Sequence, residues 1–226
     1  MGRKKVNALD AALQEGWSNA CQLYEHLANG GQLTVLPPSA IRLNPDEVPY
    51  SDAVLGYSRY YGKDVTYDRS SMMLLGSATF VAAGLAANAI GNANAKNQAM
   101  AEAAVQWRDH ANVRVILTNQ RLLCDYSGQW LSFWHEGIVE FQGAMDQWLF
   151  VLRYEVGHPI MLHGPAAAWY GVSIAHLVYG PRGLQLPGLA PLAHSVSQAL
   201  AQRQQAISGE IVTGPGSSGQ RALPPA

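Results

Sequence analysis

The stretch that decides the fold runs from Asn112 to His163 and reads NVRVILTNQRLLCDYSGQWLSFWHEGIVEFQGAMDQWLFVLRYEVGHPIMLH. Near its start, Val113, Val115 and Leu117 alternate with other residues, which is the period of two that a strand with one core face requires. Asn, Gly and Asp, which suit tight turns, then separate further short apolar runs. The pattern predicts an antiparallel meander of short β-strands.

The other elements follow from the same kind of pattern. Helices are expected at Val6–Ala28 and from Pro165 to Gly180, where apolar residues recur every three or four positions. A further helix is expected at Gln98–Asp109, because Ala is the strongest helix former. Together these elements indicate an α+β fold. The expected strands are 48–57, a hairpin at 57–67, and then 113–118, 121–124, 130–135, 138–141, 147–154 and 159–163.

The amino-acid composition limits the classes of protein to which the chain can belong. Hydrophobic residues make up 48% of the 226 residues and charged residues 14%, so a packed core is expected and disorder throughout is not. A net charge of −1 lacks the basic surface of nucleic-acid binders, so no nucleic-acid partner is expected. Cys21 and Cys124 lie far apart, which favours reduced thiols in a cytoplasmic protein. Met1–Lys5 is basic, but no apolar run follows it, so we expect no signal peptide.

The stretch Ser70–Ala95 contains no charged residue. It is long enough for a membrane span of roughly twenty residues, and small residues recur in it as they do where helices pack closely. A span, a re-entrant or interfacial segment, and a helix buried in protein are the alternatives. We favour the last, because one crossing would separate strands of one sheet and the next helix is too short to cross back. The expected partner or oligomer interface comprises Gly76, Phe80, Ala83, Gly84, Ala87 and Gly91.

A second candidate site lies in the hairpin at 57–67. Arg59 and Lys63 supply cations for an anionic group such as a phosphate, and the hydroxyl of Tyr60 could orient it. The alternative, which we favour, is a solvated hairpin tip whose charges pair on the surface.

Catalytic constellations are missing from the sequence. His158 and His163 are five positions apart, which suits neither one helix face nor one side of a strand, and no acidic residue completes a metal site. Cys124 lies inside a predicted strand and is expected in the core rather than as a nucleophile. We therefore expect no catalysis, no metal and no cofactor.

The stretch Val115–Leu123 contains Thr118-Asn119-Gln120-Arg121-Leu122, which resembles the TNxRL hairpin of bacterial pleckstrin-homology-like and GRAM-like domains. Asn44–Tyr50 is similar to the segment that opens the first strand of such domains, with Asp46 where a Gly is usual. The helix from Pro165 fits their C-terminal helix. The resemblance covers about Leu43–Gly180 and implies a small antiparallel barrel closed by that helix, with a role in binding or scaffolding and usually no catalysis.

These inferences divide the chain into four parts. We predict an amphipathic helix and connector at 1–36, a pleckstrin-homology-like domain at 37–180 with a helical insertion at 70–110, a linker and weak helix at 181–208, and a disordered tail at 209–226. The expected function is a non-enzymatic interaction or scaffolding module that self-associates or binds a protein partner through the helix at 72–91. The alternatives are a membrane-associated module that binds anionic lipid headgroups and an enzyme with a site in the barrel mouth.

Overall fold

The computed structural model of the chain describes residues 2–37, 40–62 and 104–212, with side chains for 7–37, 40–62 and 104–206. The uncharged stretch Ser70–Ala95 and nearly all of the predicted tail therefore lie outside the described residues. The predicted α+β class is confirmed: within the described residues the chain has a curled antiparallel sheet and three helices.

Seven strands of the described chain form this sheet in the order β4-β3-β2-β1-β7-β6-β5, and every neighbouring pair is antiparallel. The edge strands β4 and β5 are consecutive in the chain, joined by one 3-10 turn at His135–Gly137. The sheet curls into a half-barrel, which brings the Phe133 ring of β4 within 5.9 Å of the Tyr154 ring of β6. The strands are β1 (Pro49–Tyr61), β2 (Gln106–Thr118), β3 (Arg121–Tyr126), β4 (Gln129–Trp134), β5 (Ile138–Ala144), β6 (Leu149–Tyr154) and β7 (Ile160–His163).

The pair β1–β2 is the longest ladder of the sheet and corrects one prediction. Its register extends to Tyr61 opposite Gln106, so the helix predicted at Gln98–Asp109 is wrong for its six described residues, 104–109, of which the last four belong to β2. Residues 106–108 pair with β1, and the centre of the Trp107 ring lies 5.2 Å from that of the Tyr60 ring, so tertiary contacts override the predicted helix preference here. A bulge interrupts the ladder near Asp109, whose φ is +57°.

Three helices of the described chain pack beside the half-barrel, and the second of them contacts β5 and β6. They are α1 (Gly2–Ala28), α2 (Ala167–Tyr179) and α3 (Ala190–Val212). α1 approaches the start of α2 so closely that a Cβ on Gly16 would lie 1.9 Å from the Pro165 carbonyl oxygen. α3 extends to Val212, which is beyond the predicted start of the tail at 209.

The segment predicted as a linker at 181–191 is ordered and partly in the core. Gly180–Gln185 and Pro187–Leu189 are 3-10 helices, and the side chains of Leu184 and Leu189 are buried. Pro and Gly therefore mark tight turns here rather than a flexible connection.

Two apolar clusters lie on the two faces of the sheet. The main one fills the concave side, where the hydroxyl of Tyr170 on α2 donates to the Val115 carbonyl oxygen at 2.7 Å. Along β7 the side chains alternate, so that Ile160 and Leu162 join the main cluster and Met161 joins the other. The second cluster also contains Trp107, Leu149 and Val151, all buried.

Candidate functional site

The hairpin between β2 and β3 carries the motif that the resemblance rests on. Thr118 is fully buried, and its hydroxyl donates to the Glu47 carboxylate at 2.8 Å. The same oxygen accepts the backbone N–H groups of Gln120 at 3.1 Å and Arg121 at 2.9 Å. Thr118 thus fixes the turn and also ties it to the segment that precedes β1.

Asn119 makes the second tie between the hairpin and the start of β1. Its side-chain oxygen accepts the Val48 N–H at 2.8 Å, and its amide nitrogen donates to the Asp46 carbonyl oxygen at 3.0 Å. Asp46 has a φ of +59°, in the left-handed region. Gly alone adopts this conformation without a steric cost, so the backbone at Asp46 is strained.

Glu47 and Arg121 form an ion pair at the centre of this network. The Arg121 Nε donates to one carboxylate oxygen at 2.9 Å and its Nη2 to the other at 3.0 Å. The Glu47 side chain is 0% exposed and that of Arg121 is 12% exposed. Burial raises the pKa of Glu47, but the hydrogen bonds from Arg121, the Asn44 N–H and Thr118 outweigh it, so the pKa lies below its usual value.

Arg121 is also held on its other side. Its guanidinium lies 4.7 Å from the centre of the Trp134 ring, and Nη1 donates to the Ser132 hydroxyl at 2.9 Å. The polar groups of the hairpin are therefore occupied by one another, and the motif acts as a lock between β1, β2 and β3 rather than as an open ligand site.

Of the three residues predicted for an anionic ligand, Arg59 and Tyr60 are not brought together. Arg59 and Tyr60 are adjacent on β1 and point to opposite faces of the sheet. Arg59 lies over the rings of Tyr57 and Phe133 on the concave side, whereas Tyr60 packs on Trp107 in the second apolar cluster. Lys63 and the six residues of the predicted interface between Gly76 and Gly91 lie outside the described residues.

Arg59 instead lines a cavity of about 420 Å³ at the open end of the half-barrel. We call it the mouth cavity, and its walls come from β4, β6 and the loop that leads to β7. The Arg59 Nε donates to the Tyr57 hydroxyl, and its guanidinium carbon lies 6.0 Å from the centre of the Phe133 ring. The remaining lining residues are Ser132, Trp134, Glu136, Gly137, Tyr154, Glu155, Val156, Gly157 and His158.

Two phenol groups and one thiol are buried in the interior next to this cavity. The Tyr154 hydroxyl is buried and has no hydrogen-bond partner, and burial raises the pKa of Tyr154 far above its usual value. Burial also raises the pKa of Tyr57 to about 12 and that of Cys124 to about 12. Both phenols and the thiol are therefore protonated at neutral pH, so Cys124 is no thiolate nucleophile.

The strand alternation contained a signal for this cavity. Leu55 and Tyr57 face the core, and Arg59 is the next residue of the same parity on β1. A charged residue at a core-facing strand position is rarely buried without a reason. The aromatic walls could not be assigned from the sequence, because β4 and β6 meet only through the curl of the sheet.

A second concavity of about 700 Å³ lies between α1, the connector at 32–36 and the start of α2. Its floor includes the rings of Tyr50 and Trp169, and amide side chains such as Asn19 and Gln22 stand on the α1 side. We call it the α1–α2 groove.

Within the described part of the chain the histidines do not come together as a metal site. His135 is buried, its Nε2 pairs with the Thr118 carbonyl oxygen at 2.9 Å, and burial lowers its pKa. His110 pairs with the Ser58 hydroxyl at 2.7 Å, and burial followed by the nearby His110 lowers the pKa of His163. Among the described residues, no three His, Cys, Asp or Glu side chains cluster closely enough to hold a metal ion.

None of the described helices combines the length and the apolar character that a membrane crossing needs. No model of a known protein family matches the chain, and no curated protein matches it with significance.

Proposed function

We propose that the chain is a non-enzymatic interaction module of pleckstrin-homology-like fold that self-associates or binds a protein partner through the helix predicted at 72–91. The support for the fold is the antiparallel half-barrel followed by α2, together with the TNxRL lock at the β2–β3 hairpin. The support for a role in binding is the resemblance of this hairpin to domains that usually bind or scaffold and do not catalyse.

The observation that carries the proposal is the pairing of Tyr61 with Gln106 at the end of the β1–β2 ladder. Residues 62–105 leave and re-enter the sheet at neighbouring points, so both ends of this insertion lie on the same side of any surface it approaches. A single membrane crossing would place the two ends on opposite sides of a bilayer about 30 Å thick. The uncharged stretch Ser70–Ala95 is too short for two spans of roughly twenty residues each.

A protein surface is therefore the better environment for this stretch. Small residues at Gly76, Ala83, Gly84, Ala87 and Gly91 permit close backbone approach between helices, and close packing is the main source of affinity when few charges are present. The membrane-surface alternative differs in one measurable respect, because it requires lipid rather than a second protein chain.

The test is the mass of the full chain in detergent-free buffer, measured by size-exclusion chromatography with light scattering, for the native sequence and Gly84→Leu. A Leu side chain at Gly84 would separate packed helices, so we expect a defined oligomer that dissociates in the variant. Ala201→Leu, at an exposed position of α3, is the matched control and should leave the mass unchanged.

Other outcomes exclude the proposal or part of it. A monomeric mass for both the native sequence and Gly84→Leu, with no other protein bound, would exclude self-association. Aggregation that only detergent or anionic liposomes relieve would assign the insertion to a membrane surface instead.

A further inference from the structure

We propose that the mouth cavity binds a small organic monocarboxylate with an apolar body, with the Arg59 guanidinium as the anchor for the carboxylate. This inference is independent of the insertion and of self-association. It depends on three properties of the cavity, which are an unpaired cation, an unpartnered hydroxyl and aromatic walls.

The cation is the first property. Arg59 is partly buried, and its Nε already donates to the Tyr57 hydroxyl. Within the described residues no carboxylate lies within ion-pair distance of this side chain, whereas Arg114, Arg121, Arg153 and Arg203 each have one. A partly buried charge without a counter-ion is costly, and the fork of remaining N–H donors matches the geometry of a carboxylate.

The second property is the Tyr154 hydroxyl. The side chain is 7% exposed, and its oxygen has no hydrogen-bond partner although it is buried. Tyr154 and Arg59 flank the same ring, since Phe133 lies 5.9 Å from the Tyr154 ring and 6.0 Å from the Arg59 guanidinium carbon. Tyr154 lines the cavity, so a ligand oxygen held by Arg59 would be an acceptor for this donor once the hydroxyl turned toward it.

The third property is the chemistry and size of the walls. Phe133, Trp134 and Tyr154 give the cavity aromatic sides, and a volume of about 420 Å³ falls in the range of small-molecule sites. Glu136 and Glu155 line the rim and are exposed. Their charges oppose a multiply charged ligand such as phosphate more than a single carboxylate, because the repulsion scales with the ligand charge. The combination selects one negative charge and an apolar remainder.

The experiment uses the full chain and three probes: 3-phenylpropionate, its neutral analogue 3-phenylpropanol, and inorganic phosphate. We expect saturable binding of 3-phenylpropionate by titration calorimetry, at least about tenfold weaker binding of the alcohol, and no saturable binding of phosphate, since a charge-assisted bidentate contact is lost or opposed in the other two. In nuclear magnetic resonance spectra the Arg59 Nε–H signal should shift with 3-phenylpropionate.

Variants identify the anchor. Arg59→Met keeps the bulk of the side chain and should weaken 3-phenylpropionate at least about tenfold, whereas Arg203→Met, on α3, should not change binding. Tyr154→Phe keeps the ring, removes only the hydroxyl and should weaken the binding of 3-phenylpropionate by a smaller factor. This second variant tests the site even if Arg59→Met does not fold.

The proposal is overturned if the native chain shows no saturable binding of 3-phenylpropionate at millimolar concentration. It is equally overturned if the alcohol binds as tightly, if phosphate binds as tightly, or if a folded Arg59→Met variant binds like the native chain.

Discussion

Removing the arginine of the buried ion pair should destabilise the domain far more than removing the arginine of an exposed pair. In Arg121→Met the Glu47 carboxylate, whose side chain is 0% exposed, keeps its burial and loses both charge-assisted bonds. Breaking a buried pair from one side typically costs about 3–5 kcal/mol. Because the Arg121 side chain retains 12% exposure, we expect the lower end of this range, a loss of about 3 kcal/mol in the free energy of unfolding.

The assay is urea unfolding followed by tryptophan fluorescence at pH 7. Arg203→Met is the matched control, since Arg203 pairs with Glu25 at 3.0 Å on the surface and its own side chain is 61% exposed. That variant should cost less than about 1 kcal/mol. The double variant Glu47→Gln/Arg121→Met should recover part of the loss, because it no longer buries an unpaired charge.

The pH dependence of Arg121→Met adds a second test of the same reasoning. In the native chain the pKa of Glu47 lies below its usual value of 4.5, so the stability it contributes is present above that value and is lost as pH falls through the folded-state pKa. In Arg121→Met the effect of burial dominates and raises the pKa, so acid protonates the carboxylate and relieves the penalty. The stabilities of the two proteins should therefore converge on acidification. Equal costs for Arg121→Met and Arg203→Met, or a gap that widens in acid, would refute the reasoning.

Two backbone predictions follow from glycine geometry. Asp46→Gly should raise the free energy of unfolding by about 0.5 kcal/mol, because it removes the strain of a φ of +59°. The control is Asp146→Gly, in a 3-10 helix, which should lower the free energy of unfolding. The reverse order of the two variants in urea unfolding would contradict backbone strain at Asp46. Gly16→Ala should cost about 1–3 kcal/mol, because its Cβ would lie 1.9 Å from the Pro165 carbonyl oxygen and α1 must move. Gly137→Ala, whose nearest contact would be 3.5 Å, is the control, and similar thermal midpoints for the two alanine variants would argue against a tight α1–α2 contact.

The parts of the fold that the sequence predicted are those with a local signal. Val113, Val115 and Leu117 alternate because one face of β2 is in the core, and the turn residues between strands have short-range preferences. The start of β2 was missed because residues 106–109 take their conformation from β1, far away in the chain. Leu184 and Leu189 were missed because Pro and Gly in the same segment are also typical of linkers.

The candidate site depends even more on contacts between residues that are far apart in the chain, and such contacts leave no local signal in the sequence. The hairpin at Thr118–Arg121 was identified through a resemblance, yet its ion pair with Glu47 joins residues 74 positions apart. Arg59 and Tyr60 were candidates for one anion site, but strand alternation places the two side chains on opposite faces. The partners that Arg59 has on the concave side, Phe133 and the nearby Tyr154, depend on the curl of the sheet, which no local pattern encodes.

The packing of α1 has a consequence for the synthesis of the protein. α1 contacts α2 and α3, with Tyr24 donating to the Leu184 carbonyl oxygen at 3.0 Å and Arg203 pairing with Glu25. The last residue of α1 and the first of α2, Ala28 and Ala167, are 139 residues apart in the chain. At translation rates of about 5–20 residues per second, α1 waits roughly 7–28 s on the ribosome before α2 begins to emerge. During that interval its apolar side is open to a chaperone, and a nascent chain that stalls before α2 would present this helix as its exposed segment.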